Sequence, residues 1–133
     1  MDTVDRSYAD RLKNPTFEAG RELLDLIADK WTLLVIEVLA EQGELRFSRL
    51  QEQVGGISQK MLTKTLRQLE RSGLVTRHVH PVIPPHVDYR ITGMGESLGE
   101  AMCALWQWHA ANAGRVQTAR AAYDAANGRA AIR

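Results

Sequence analysis

The sequence predicts a mainly α-helical domain of the α+β class, in which a short helix, a tight turn and a cationic helix lead directly into a two-stranded hairpin. Three features carry that prediction. Between Ser58 and Gly73, Leu62, Leu66 and Leu69 recur at helical spacing, while Lys60, Thr63, Lys64, Arg67 and Arg71 fall on the other side. Just before this stretch, Gly55 and Gly56 favour a turn, because glycine enters positive φ without steric cost. Just after it, the apolar period shortens to about two residues across LVTRHVH and HVDYRIT, the pattern of half-buried strands.

Composition sets the limits. A chain of 133 residues with 44% hydrophobic and 25% charged residues is long enough for one domain with its own core. No apolar run reaches the roughly 18 residues that span a bilayer. The start, MDTVDRSYADRLKN, has no apolar core of a signal peptide. A cytoplasmic location, away from membranes, is therefore the expectation. One cysteine, Cys103, excludes an internal disulfide framework and a CxxC metal site. The net charge of +1 conceals an asymmetry: residues 1–44 carry five cations and ten acids, whereas residues 57–92 carry six cations and two acids. Positive charge gathered in the middle third suits a polyanionic partner.

In chain order, residues 1–15 read as a flexible arm. Asn14-Pro15-Thr16 opens a first helix over about 16–29, with Thr16 as its cap and Phe17, Leu23, Leu24 and Ile27 in helical register. WTLLVIEVLAEQG is apolar nearly all round, as expected of the central core helix, and Gly43 ends it. Leu45-Arg46-Phe47 suits a short edge strand. Ser48 and Gln51 match a capping box for a short helix over 48–53. The cationic helix follows, capped by Ser58 and stopped by Gly73. The hairpin strands are joined by Pro81-Val82-Ile83-Pro84-Pro85, whose three prolines cannot continue a ladder. Thr92 caps a helix to about residue 113, in which Met94, Leu98, Met102, Leu105 and Trp108 form a stripe. Gly114 is expected to break it, leaving a C-terminal helical tail over 114–133.

The chemistry-bearing residues point in one direction. Gln59, Lys60 and Thr63 stand at the N-terminal end of the cationic helix, where glutamine suits adenine and lysine suits guanine. Lys64, Arg67 and Arg71 suit phosphates, and Arg46 and Arg49 could add contacts at the entry to the turn. Near His78, His80 and His86 no acid or cysteine completes a tetrahedral set, so no metal site is assigned. Their protonation at mildly acidic pH would add charge to the cationic segment. No Gly-rich phosphate loop or nucleophile–base pair is evident, so neither catalytic residues nor a cofactor are assigned and an enzyme is not expected. Trp106, Trp108, Met102 and Tyr123 could line an effector pocket, although apolar residues at such spacing usually pack.

Three segments together carry a family resemblance: DLIADKWTLLVIEVL (25–39), LRFSRLQEQVGGISQKMLTKTLRQLERSGLVTR (45–77) and VIPPHVDYRIT (82–92). In order and at this spacing they resemble the HxlR-type winged helix-turn-helix regulators, a bacterial and archaeal group of small DNA-binding transcription factors. The resemblance covers most of residues 17–112. It implies a winged helix-turn-helix over 16–113, with the helix-turn-helix at 48–73, the wing at 74–92 and dimerisation helices at about 16–29 and 92–113. It implies a homodimer on double-stranded DNA, reading a pseudo-palindromic operator and responding to a small molecule or a redox signal. It carries DNA contact to Ser58, Gln59, Lys60, Thr63 and Arg67, and to the wing, where Arg77 and His86 are the candidates. Phe17, Leu24, Leu98, Met102, Leu105 and Trp108 become the expected dimer interface.

Two positions depart from the family. Asn14–Glu18 holds no cysteine where oxidant-sensing members carry one, which leaves Cys103 as the candidate redox residue. His86 stands where many relatives have arginine. A MarR-like effector sensor is the nearest alternative within DNA binding. A winged-helix protein–protein interaction module without specific DNA binding is the alternative from another class.

Overall fold

The computed structural model describes residues 15–128, with side chains from Gly20 onward. The expected flexible arm and the last five residues lie outside that range, as does the side chain of Phe17. Eight elements follow in order: α1 (Pro15–Ile27), α2 (Lys30–Gln42), β1 (Glu44–Arg46), α3 (Phe47–Val54), α4 (Gln59–Arg71), β2 (Val75–His80), β3 (His86–Ile91) and α5 (Gly93–Ala126). The chain parts into two units, one ending at Gly99 and the other beginning at Glu100.

Local chemistry fixes most boundaries. α1 begins with Pro15 as its first residue, where a missing N–H costs nothing, so Thr16 is not its cap. α2 is capped by Asp29, whose carboxylate accepts from Trp31 N at 2.7 Å. It ends at Gly43, at φ 83°, with Gly43 N donating to Leu39 O. Its buried side is narrower than the sequence suggests: Thr32, Val35, Ile36 and Leu39 are buried, while Trp31, Leu33, Leu34 and Val38 are only half-buried.

The expected capping box does not form. α3 starts one residue earlier, at Phe47, with Arg46 at the cap position and no side-chain cap bond. Gln51 instead donates from Nε2 to Ile57 O at 3.1 Å, tying α3 to the turn that follows. With the helix starting at Phe47, Ser48 lies inside the first turn rather than at the cap, and the Gln51 side chain is turned toward the Ile57 carbonyl.

The expected edge strand forms as β1, shifted one residue earlier, and gives a three-stranded sheet in the order β1-β3-β2, with all pairs antiparallel. β3 is central: Leu45 pairs with Tyr89 on one side, and Arg77 pairs with Tyr89 on the other. Ile91 N donates to Gly43 O, and Thr92 N to Leu74 O, anchoring the open end of the hairpin. The core of the first unit gathers Val35, Ile36 and Leu39 of α2, Leu50 of α3, Leu62, Leu66 and Leu69 of α4, and Val75, Tyr89 and Ile91 of the sheet.

α5 departs most from expectation. It is one helix of 34 residues running through Gly114. Thr92 does cap it, accepting from Gly95 N at 3.0 Å while donating to Gly73 O at 2.7 Å. A Cβ on Gly95 would strike the Leu74 carbonyl oxygen, and one on Gly99 would stand 3.2 Å from Ala40 Cβ. These two small residues therefore serve close approach within the chain. In the second unit Met102 is buried, whereas Leu105, Trp106, Trp108 and Tyr123 are exposed.

Candidate nucleic-acid interface

α4 is held from behind and presented in front. Ser58 Oγ accepts from Met61 N at 3.0 Å, satisfying one orphan amide of the first turn. At the other end Gly73 takes φ 78°, its N donates to Glu70 O, and Leu74 N donates to Leu69 O. That pair of bonds is a Schellman closure. Leu62, Leu66 and Leu69 bury one stripe, joined by Thr65. A buried stripe about two turns long thus fixes which side chains can reach outward.

Those are the predicted ones. Gln59, Lys60, Thr63, Lys64 and Arg67 line one shallow concavity together with Gln68. A second groove runs from the start of α3 to the hairpin, with Arg46, Ser48, Gln59, Thr63, Pro84 and His86 among its walls. A third gathers Thr63, Arg67, Glu70, Arg77 and Tyr89. Thr63 borders all three. The turn, the helix and the hairpin therefore form one continuous surface, and Arg46, Arg77 and His86 join it.

The cations fall into two groups. Arg49 pairs with Glu52 at 3.0 Å, Arg71 with Glu22 at 3.2 Å and Arg90 with Glu44 at 3.0 Å. These are exposed pairs, each worth about 0–1 kcal/mol. Arg46, Lys60, Lys64, Arg67 and Arg77 make no ion pair among the described residues, and all five border the α4 surface. One reading changes accordingly: Arg71 is turned to Glu22 of α1 instead of to a phosphate. The cationic surface also holds an acid, because Glu70 shares a concavity with Arg67 and Arg77.

The comparisons decide the family. Residues 26–117 match the model of the HxlR-like helix-turn-helix family. The chain belongs to the HxlR-like helix-turn-helix family. It is similar to an uncharacterized HTH-type transcriptional regulator, YtfH of Escherichia coli strain K12, with 42% identity over 89 residues, covering 67% of this chain and 70% of that protein. Among solved structures it is similar to the reduced form of the transcriptional regulator YodB from B. subtilis, with TM-score 0.61 and 33% identity, covering 72% of this chain and 90% of that one. It is also similar to the redox regulator HypR in its reduced form, with TM-score 0.67 and 30% identity, covering 75% and 98% of the two chains. The protein is thus a helix-turn-helix transcriptional regulator on a winged-helix scaffold. No helix among the described residues is long and apolar enough to cross a membrane.

Of the residues expected at the dimer interface, Leu24, Leu105 and Trp108 are exposed and Leu98 is half-buried. Met102 is only 5% exposed within one chain and has little surface left to offer a mate. Cys103 is an exposed free thiol.

Sequence reasoning missed one grouping. His80, His86 and Asp88 bring three metal-ligating atoms within 4.8 Å of one another, so an acid does stand beside two of these histidines. The signal was present. Residues 80 and 86 flank a five-residue loop, and strand alternation puts His78, His80, His86 and Asp88 on one face of the hairpin.

Proposed function

We propose that this HxlR-type regulator binds double-stranded DNA as a homodimer and reads a pseudo-palindromic operator, with α4 in the major groove and the hairpin against the flanking backbone. The observation that carries this reading is the ring of five cations around α4 that have no carboxylate partner among the described residues, set beside three other arginines that are paired. In this reading Gln59, Lys60 and Thr63 meet base edges. Ser58, Lys64, Arg67 and Arg46 hold phosphates, and Arg77 and His86 act from the wing. Two copies of α4 would enter successive major grooves about 34 Å apart.

A second copy is the occupant we assign to the exposed apolar side chains of α5. A helix of 34 residues extends about 50 Å at 1.5 Å per residue. Its stability in water depends on covering an apolar face rather than on propensity. Leu105, Trp106, Trp108 and Tyr123 are that face, left uncovered in one chain. Dimerisation also supplies the second recognition helix that a palindromic site needs. A redox signal of the kind named for HypR would act here through Cys103.

Selection of duplexes from a random pool by the purified protein, followed by sequencing, tests the reading. The expected result is an enriched inverted repeat with half-sites one helical turn apart, lost with Lys60→Ala and Arg67→Ala. A folded protein that enriches no sequence would refute specific DNA reading and favour a protein-interaction role for the same scaffold.

A further inference from the structure

The wing carries a cluster that the regulator reading leaves unused. His80 ends β2, and His86 and Asp88 open β3. The register sets His80 directly across from His86. Their rings stack with centroids 4.6 Å apart. His80 Nε2 lies 2.9 Å from Asp88 Oδ2, and His86 Nε2 lies 3.9 Å from Asp88 Oδ1.

The polar atoms of this cluster are not satisfied by one another. His80 Nε2, His86 Nδ1 and Asp88 Oδ1 are each buried without a hydrogen-bond partner. The 2.9 Å contact is close, yet it lacks the alignment of a hydrogen bond. Three orphaned donors and acceptors at one spot are costly, at about 1–3 kcal/mol each. Arg46 stands opposite Asp88 in the β1–β3 register and makes no ion pair with it among the described residues. The neighbouring His78 is occupied, with Nε2 2.9 Å from Thr76 Oγ1.

We infer that His80, His86 and Asp88 form a binding site for a divalent late first-row transition ion, of which Zn²⁺ is the representative. Two imidazoles and one carboxylate are a donor set for such ions and a poor one for Mg²⁺ or Ca²⁺. Bonds of about 2.1 Å in a tetrahedron put neighbouring ligand atoms about 3.4 Å apart. The observed separations, 2.9 Å from His80 Nε2 to one carboxylate oxygen of Asp88 and 3.9 Å from His86 Nε2 to the other, lie on either side of that edge. The widest separation, within 4.8 Å, closes by small side-chain rotations on a surface hairpin. Side-chain exposures of 41%, 26% and 16% leave an entry path and a fourth position for water. The ion would staple β2 to β3 across residues 81–85. His86 also borders the groove that Gln59 and Thr63 share, so a loaded wing would place a dication at the proposed DNA surface. That last consequence rests on the DNA reading; the site itself does not.

Titration of the untagged, DNA-free protein with Co²⁺, followed by visible ligand-field absorption and displacement by Zn²⁺, tests the site. The expected result is one ion per chain, with affinity at least about 100-fold lower in His80→Ala and in Asp88→Asn, and unchanged in Cys103→Ser and His78→Ala. Circular dichroism establishes that each variant is folded; Asp88→Asn, nearly isosteric, serves if His80→Ala is not. No stoichiometric binding, parental affinity in the two ligand variants, or loss in Cys103→Ser or His78→Ala would overturn the assignment. DNA binding is measured separately, so that failure there leaves the titration result intact.

Discussion

α4 and the part of α5 beyond Glu100 use apolar side chains in opposite ways. α4 buries Leu62, Leu66 and Leu69 inside its own chain, and every exposed side chain on it is polar. The outer part of α5 buries Met102 and exposes Leu105, Trp106, Trp108 and Tyr123. The first helix is complete in one copy, with its outer face available to DNA. The second leaves apolar side chains uncovered in one chain. In the proposed dimer, one chain would finish the reading head, and the mate would cover α5 and couple two such heads.

Substitutions can break that contrast at either end. Leu66→Ala removes a fully buried side chain from behind α4 and should cost about 2–5 kcal/mol of stability, read as a lowered midpoint of urea unfolding. It should abolish DNA binding only insofar as it unfolds the domain. The double change Leu105→Glu, Trp108→Glu should do the converse. Placing carboxylates at a buried, dry contact costs at least about 2 kcal/mol per copy. Sedimentation equilibrium should show monomers where the parent is dimeric. Far-ultraviolet circular dichroism should change little, because both residues are exposed in one chain. A double variant that stayed dimeric would remove α5 from the interface. Ser58→Ala sharpens the account of α4 itself. Loss of the cap to Met61 N should cost about 1 kcal/mol, with a correspondingly small shift in unfolding midpoint.

What could be read from the chain depended on how far its causes reach. The cap at Ser58, the stop at Gly73 and the leucine stripe between them were legible, because each is settled within a few residues. So were the two hairpin strands, whose alternation is local. Ser48 and Gln51 misled because a capping box is only one of the bonds that Gln51 can make, and the turn brought Ile57 O within its reach. Gly114 misled because one glycine costs only about 1 kcal/mol in a helix that cooperativity carries past it. The edge strand at Leu45 was legible, but its partner was not, because β1 pairs with β3 more than 40 residues away. The histidine–aspartate cluster required the hairpin register, which sets His80 against His86. Pairing of Arg71 with Glu22 likewise joins residues far apart in sequence, and no local pattern announces it.

The most direct test of the account is the salt dependence of affinity for the selected operator. Six to ten phosphate contacts should make affinity fall by roughly 10³–10⁵ between 50 and 200 mM salt. Arg67→Ala, which removes one contact from each half of the dimer, should flatten the log–log slope by about two, while Arg71→Ala, on an arginine engaged by Glu22, should leave it unchanged. Affinity that is insensitive to salt, or a slope that responds to Arg71 and not to Arg67, would contradict the claim that the free cations of α4 are what meet the DNA.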